Sequence, residues 1–223
     1  MKETIAFLTS LRQNNNRIWF NDNKERYLQA QDRFNSFIEK LIKGISGFDD
    51  SIAGLTAKDC TYRIYRDTRF SSDRTPYKCH MGAYINPGGK KSGYAGYYFQ
   101  VGATDEGFPD GNMLASGDYC YEPKVMRILR EDICHGEGDF DRIVKQAKPF
   151  EIDASDMLKR NPAGFPADAP YPEYLRLKTF CLIYQPGRAF MYSNHLLEET
   201  IELFRTTQPF IEYINRAIAF TKE

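Results

Sequence analysis

HMGAYINPGGKKSGYAGYYFQV, residues 80–101, decides the fold class. Its two ends are apolar and aromatic, are too short for helices, and read as strands over 80–85 and 94–101. The polar middle, NPGGKKSG, reads as the turn of a hairpin. A short turn makes the two strands antiparallel neighbours. Lys90 and Lys91 sit at its tip, where substitution is expected to matter little.

Further strands are expected on either side. Residues 60–66 alternate, with Tyr62 and Ile64 facing one way and Arg63 and Tyr65 the other. Residues 113–121 and the apolar run 179–185 read as strands too. Helices flank this middle. Ile5, Leu8 and Leu11 recur at helical spacing behind Thr4, the expected cap, and Asn14, Asn15 and Asn16 end that helix. Trp19 and Phe20 fall in a short connector. Residues 22–46 carry a helical stripe of Tyr27, Phe34, Ile38, Leu41, Ile42 and Ile45. Pro123 opens a helix to about residue 134. A shorter helix covers 140–147, and one helical turn covers 174–177. The proline-rich stretch 161–172 reads as an ordered loop. The C-terminal helices, 194–205 and 209–220, are separated by a break at Thr207–Pro209. Their stripe of Leu196, Leu197, Ile201, Phe204, Phe210, Ile214 and Ile218 suits a core or a dimer face, so the oligomeric state stays open. Helices at both ends with strands between give an α+β fold. It has a mostly antiparallel central sheet and terminal helices packed on one face. No linker interrupts the 223 residues, so a single domain, 1–223, is expected.

The composition narrows the function. Lys plus Arg and Asp plus Glu are 30 each, which argues against broad non-specific nucleic-acid binding. Hydrophobic residues make 42% and charged residues 27%, a globular balance. The five cysteines, Cys60, Cys79, Cys120, Cys134 and Cys181, have no paired spacing of a disulfide framework or zinc site. Free thiols and the absence of an apolar leader in MKETIAFLTSLRQ point to the cytoplasm. No stretch approaches the ~20 apolar residues of a membrane span, so no membrane partner is expected.

The chemistry concentrates just before the hairpin. RIYRDTRFSSDRTPYKCH, residues 63–80, holds Arg63, Arg66, Arg69, Arg74 and Lys78 with Asp67, Asp73, Tyr65, Tyr77 and His80. Guanidinium groups bind carboxylates and phosphates through paired N–H donors. In an extended chain Arg63, Tyr65, Asp67 and Arg69 share a face, with Arg66 opposite, and Lys78 and His80 return on the next strand.

The spacing R-x-x-R-D-x-R-F, completed by Asp73 and Tyr77, resembles the signature of the DUF2461 family of bacterial proteins. Arg63, Arg66, Asp67, Arg69, Phe70, Asp73 and Tyr77 match, and Arg74 stands where the pattern has lysine. NNNRIWFNDNKERY, GYYFQVG, LKRNPAGFP and LRLKTF are similar to other family segments, so the resemblance extends over most of the chain. It implies membership and no particular reaction.

The residues therefore carry the functional reading. The leading expectation is a site for a small anionic, phosphate- or carboxylate-bearing ligand. Arg63, Arg66 and Arg69 act as donors, Asp67 orients an arginine, and Tyr77, Lys78 and His80 complete the wall. A nucleic-acid or protein interaction module on the same basic edge, with Trp19 or Tyr65 stacking, is the second. A structural salt-bridge network with Tyr77 bracing the loop is the third. No nucleophile–base–orienter set is legible, so enzymatic activity stays open. No cofactor and no metal are expected. Gly89–Ser92 lacks the earlier glycine and following helix of a phosphate loop. The adjacent pairs Cys79–His80 and Cys134–His135 point apart on extended chain and do not chelate together.

Overall fold

The computed structural model describes residues 1–69 and 73–222; Phe70 of the signature lies outside them. The elements run α1 (Lys2–Gln13), α2 (Arg17–Asp22), α3 (Lys24–Ile45), α4 (Ala57–Cys60), β1 (His80–Ile85), β2 (Gly96–Gly102), β3 (Met113–Asp118), α5 (Pro123–His135), α6 (Asp139–Gln146), β4 (Glu151–Ile152), α7 (Pro172–Leu175), β5 (Phe180–Tyr184), α8 (Arg188–Met191) and α9 (Leu196–Phe220). The sheet is open and antiparallel, in the order β1-β2-β3-β5-β4, so the fold is α+β. Its last strand is two residues long and pairs Glu151 with Ile183 and Ile152 with Leu182.

The chain divides into two compact units. The first comprises Met1–Ser92, Tyr98–Leu114 and Gln185–Ile201. Here α1 packs on α3, and α3 and α4 pack on β1. The stripe expected on the long helix is buried, with Ile38, Leu41 and Ile45 fully so, and Phe34 and Phe37 meet Phe99 of β2. The second unit comprises Gly93–Tyr97, Ala115–Tyr184 and Glu202–Glu223. Its centre is Phe140, whose ring touches those of Tyr174, Phe180, Phe210 and Tyr213. In this unit Asn215 embraces the backbone of Ala95, accepting from its N–H at 2.9 Å and donating to its carbonyl at 3.1 Å.

Four local expectations are corrected. Trp19 and Phe20 lie in a helix, α2, because Asn16 caps it by accepting from the Trp19 N–H at 2.9 Å. Thr4 sits inside α1, fully buried, donating to the Ala30 carbonyl. The C-terminal helix does not break at Pro209. Phe204, Phe210, Ile214 and Ile218 are all buried, and that shared face outweighs the one amide hydrogen bond the proline removes. Most of the terminal stripe is thereby core. Finally, Lys90 is no free tip. Its Nζ donates to the carbonyls of Lys58 (2.7 Å) and Asp59 (3.1 Å) at the end of α4.

Candidate functional site

The arginine-rich segment forms an irregular ladder. Tyr65 pairs with Tyr77 and Thr61 with Ala83, so four steps on one side match six on the other. The slip explains why residues 60–66 form isolated bridges and no continuous strand, and Cys60 itself closes α4. Arg66 N–H donates to Pro76 at 3.0 Å and Lys78 N–H to Ile64 at 2.8 Å. This register puts Tyr65 and Tyr77 on one face and Ile64, Arg66 and Lys78 on the other. Both tyrosine rings meet Phe20.

The predicted residues separate into three groups. Asp67 and Arg69 turn outward to each other. The guanidinium donates to both carboxylate oxygens at 3.0 and 2.7 Å, and these bonds hold the exposed Asp67 carboxyl down at about 2. Tyr77 is buried, with its N–H and carbonyl both bonded to the Asn15 side chain, at 3.2 and 2.9 Å. It braces the ladder from beneath. Arg66, Lys78 and His80 lie together above it. Arg66 pairs with Asp73, whose other oxygen accepts from the N–H and hydroxyl of Thr75. The half-buried Lys78 amine is 5.7 Å from the Tyr62 ring centre. Burial lowers its pKa first, then the charges of Arg63 and Arg66. Among the described residues neither Arg63 nor Lys78 forms an ion pair.

One participant is invisible in the sequence pattern. Asp110, in the loop between β2 and β3, places Oδ1 3.5 Å from His80 Nδ1, with side-chain exposures of 20% and 15%. His80 lowers the Asp110 pKa most, burial opposes it, and Arg66 and Arg12 lower it further. The loop is held by Ala103 N–H on the Cys79 carbonyl (3.0 Å) and Thr104 N–H on the Asp110 carbonyl (3.2 Å). Burial and Asp110 push the neighbouring Cys79 thiol up to about 11. Arg66 Nε, His80 Nδ1 and Asp110 Oδ1 are all buried without a hydrogen-bond partner among the described residues. In sequence, Asp110 sits in FPDGN, which reads as a turn, and nothing there signals His80 thirty positions earlier.

The weaker signals find other places. Trp19 stacks on Phe7 and has Arg26 over its ring, at 6.1 and 5.9 Å. Tyr65 is 46% exposed. Cys134 and His135 line a cleft of about 730 Å³ in the second unit, with Arg127, Glu131 and the 163–170 loop. Among the described residues, no three His, Cys, Asp or Glu side chains are grouped to hold a metal ion.

The frame is thus an α+β protein with an open antiparallel sheet, bearing at the start of its first strand a cluster of Arg66, Lys78, His80 and Asp110. The chain belongs to the DUF2461 family, described as conserved hypothetical proteins, whose model matches residues 3–213 of 223. No curated protein and no solved structure matches it. No helix among the described residues is long and apolar enough to cross a membrane.

Proposed function

We propose that the protein recognises a small anionic ligand, carrying a phosphate or carboxylate, at Arg63, Arg66 and Lys78. One observation carries this reading: burial lowers the pKa of Lys78, the charges of Arg63 and Arg66 lower it further, and among the described residues this half-buried lysine has no ion pair. Keeping a half-buried lysine beside like charges is costly unless an opposite charge joins them. Asp67, Arg69 and Tyr77 have smaller parts in this reading, as a surface pair and a brace. A nucleic-acid module has less support, since Arg26 covers the Trp19 ring, although Tyr65 is exposed. The five thiols, free in the structure, accord with a cytoplasmic setting.

Thermal shift with inorganic phosphate, pyrophosphate and citrate tests the reading. At a hundred times Kd a ligand that binds only the folded state adds about 2.7 kcal/mol. At least one of these anions should raise Tm, and added salt should weaken the effect. Lys78→Ala and Arg63→Ala should abolish the shift, and Arg69→Ala should keep it. No stabilisation by any of the three would reject the reading in favour of a structural brace. Retention by oligonucleotides alone would favour the nucleic-acid module.

A further inference from the structure

We propose that His80 and Asp110 form an acid–base pair that hydrolyses a phosphate ester held at Arg66 and Lys78. His80 is the catalytic residue and Asp110 the positioning residue. This rests on the anion-binding reading above and adds a reaction to it.

The geometry divides the work. Asp110 Oδ1 faces His80 Nδ1, so the proton on the imidazole belongs on that nitrogen and the lone pair on Nε2. A carboxylate that orients an imidazole in this way makes the other nitrogen a base. The 3.5 Å separation is long for a hydrogen bond, as is common in acid–base pairs before substrate closes the site. Both atoms are buried and neither has another partner among the described residues, which a merely structural pair would leave as an uncompensated cost. Arg66 and Arg12 act on the Asp110 carboxylate and favour its charged form. Arg66 also acts on Lys78, so the pair and the anion donors share one neighbourhood.

The neighbouring thiol is not the nucleophile. Cys79 is the thiol at hand, but it stays protonated and accepts from Asn15 Nδ2 at 3.4 Å. We assign the attack to the oxygen of water. His80 Nε2 takes one proton from the water as its oxygen bonds to phosphorus. The bond between phosphorus and the ester oxygen breaks, and that oxygen leaves with the electron pair and takes the proton from His80. The products are an alcohol and a phosphate with one ester fewer, and no oxidant or reductant is needed. In this reading Arg66 and Lys78 supply the positive charge that offsets the negative charge developing on the phosphate.

The test uses the full chain with p-nitrophenyl phosphate and bis(p-nitrophenyl) phosphate, following release of p-nitrophenolate. Wild type should hydrolyse at least one of them. His80→Ala and His80→Gln should each lower kcat by about a hundredfold or more, with the Tm gain from inorganic phosphate kept. Asp110→Asn should lower kcat and alter the pH–rate profile, because it removes the charge that fixes the imidazole; a packing defect would lower the rate without changing the profile. Lys78→Ala should raise KM. Folding of each variant is checked by urea denaturation. Wild-type release no faster than that of His80→Ala, with phosphate still raising Tm, would overturn the reaction and leave the anion site standing. No rise in wild-type Tm with phosphate, pyrophosphate or citrate would overturn both.

Discussion

Phe20 and Tyr77 stack nearly parallel, with ring centroids 3.9 Å apart and planes at 14°. This contact ties the arginine-rich ladder to α2. Removing the ring should be costly, because Tyr77 is 4% exposed. Tyr77→Ala is expected to destabilise the protein by about 3–5 kcal/mol, and Tyr77→Phe, which keeps the stack, by less than about 1 kcal/mol. Equilibrium urea unfolding of the two variants checks this.

Gly102 lets the loop bearing Asp110 close on β2. A Cβ at that position would overlap the carbonyl oxygens of Asp110 and Gly111, which are backbone atoms and cannot turn aside. Gly102→Ala should therefore cost about 2 kcal/mol or more. It should also move Asp110 away from His80, seen as changed NMR chemical shifts of both side chains.

The two neighbouring lysines should behave differently. Lys90 donates to two carbonyls at the end of α4, where a cation also meets the negative end of the helix dipole. Lys91 is exposed. Lys90→Ala should lose about 1 kcal/mol and Lys91→Ala no more than about 0.5 kcal/mol. Equal effects in urea melts would contradict the capping role.

Asp110 has a pKa below the ordinary value when folded, with His80 as the first cause. Its folded form therefore binds fewer protons than its unfolded form. The stability it adds is fully present above the unfolded value, about 3.9, and is lost as pH falls through the lower folded value. The gap between wild type and Asp110→Asn, measured by urea midpoints across pH, should shrink on acidification below about pH 4.

The sheet was legible where chemistry is local and repetitive. The strand over 80–85 came through because its turn is marked by proline and glycine, and the helix from Pro123 because the proline suits its first turn. Glu151–Ile152 was not legible, since two residues carry no period and take their strand character from β5. Pro209 misled for the opposite reason: a strong local breaker sits on a helix held by its buried face. At the site, alternation set Arg66 on the face opposite Tyr65, as the register has it. It did not show that Arg69 would spend its donors on Asp67 two residues away, a short-range pair cheaper to form than convergence on a shared ligand. Asp110 reached His80 through tertiary folding alone.

Asn15 and Asn215 each use one carboxamide to occupy both the N–H and the carbonyl of a single backbone residue, Tyr77 and Ala95. Each side chain thus serves as a one-residue strand, and those backbone groups are no longer available to pair with another molecule's edge. A carboxamide presents both a donor and an acceptor at that spacing without needing a proton from solvent. Deamidation, the slow chemical ageing of asparagine, would replace the donor with a second oxygen and set a negative charge against a carbonyl. At either position the fold would then carry its own clock. A molecule aged at Asn15 would loosen the brace beneath the arginine ladder and uncover an edge for self-association, with no change of sequence in the gene.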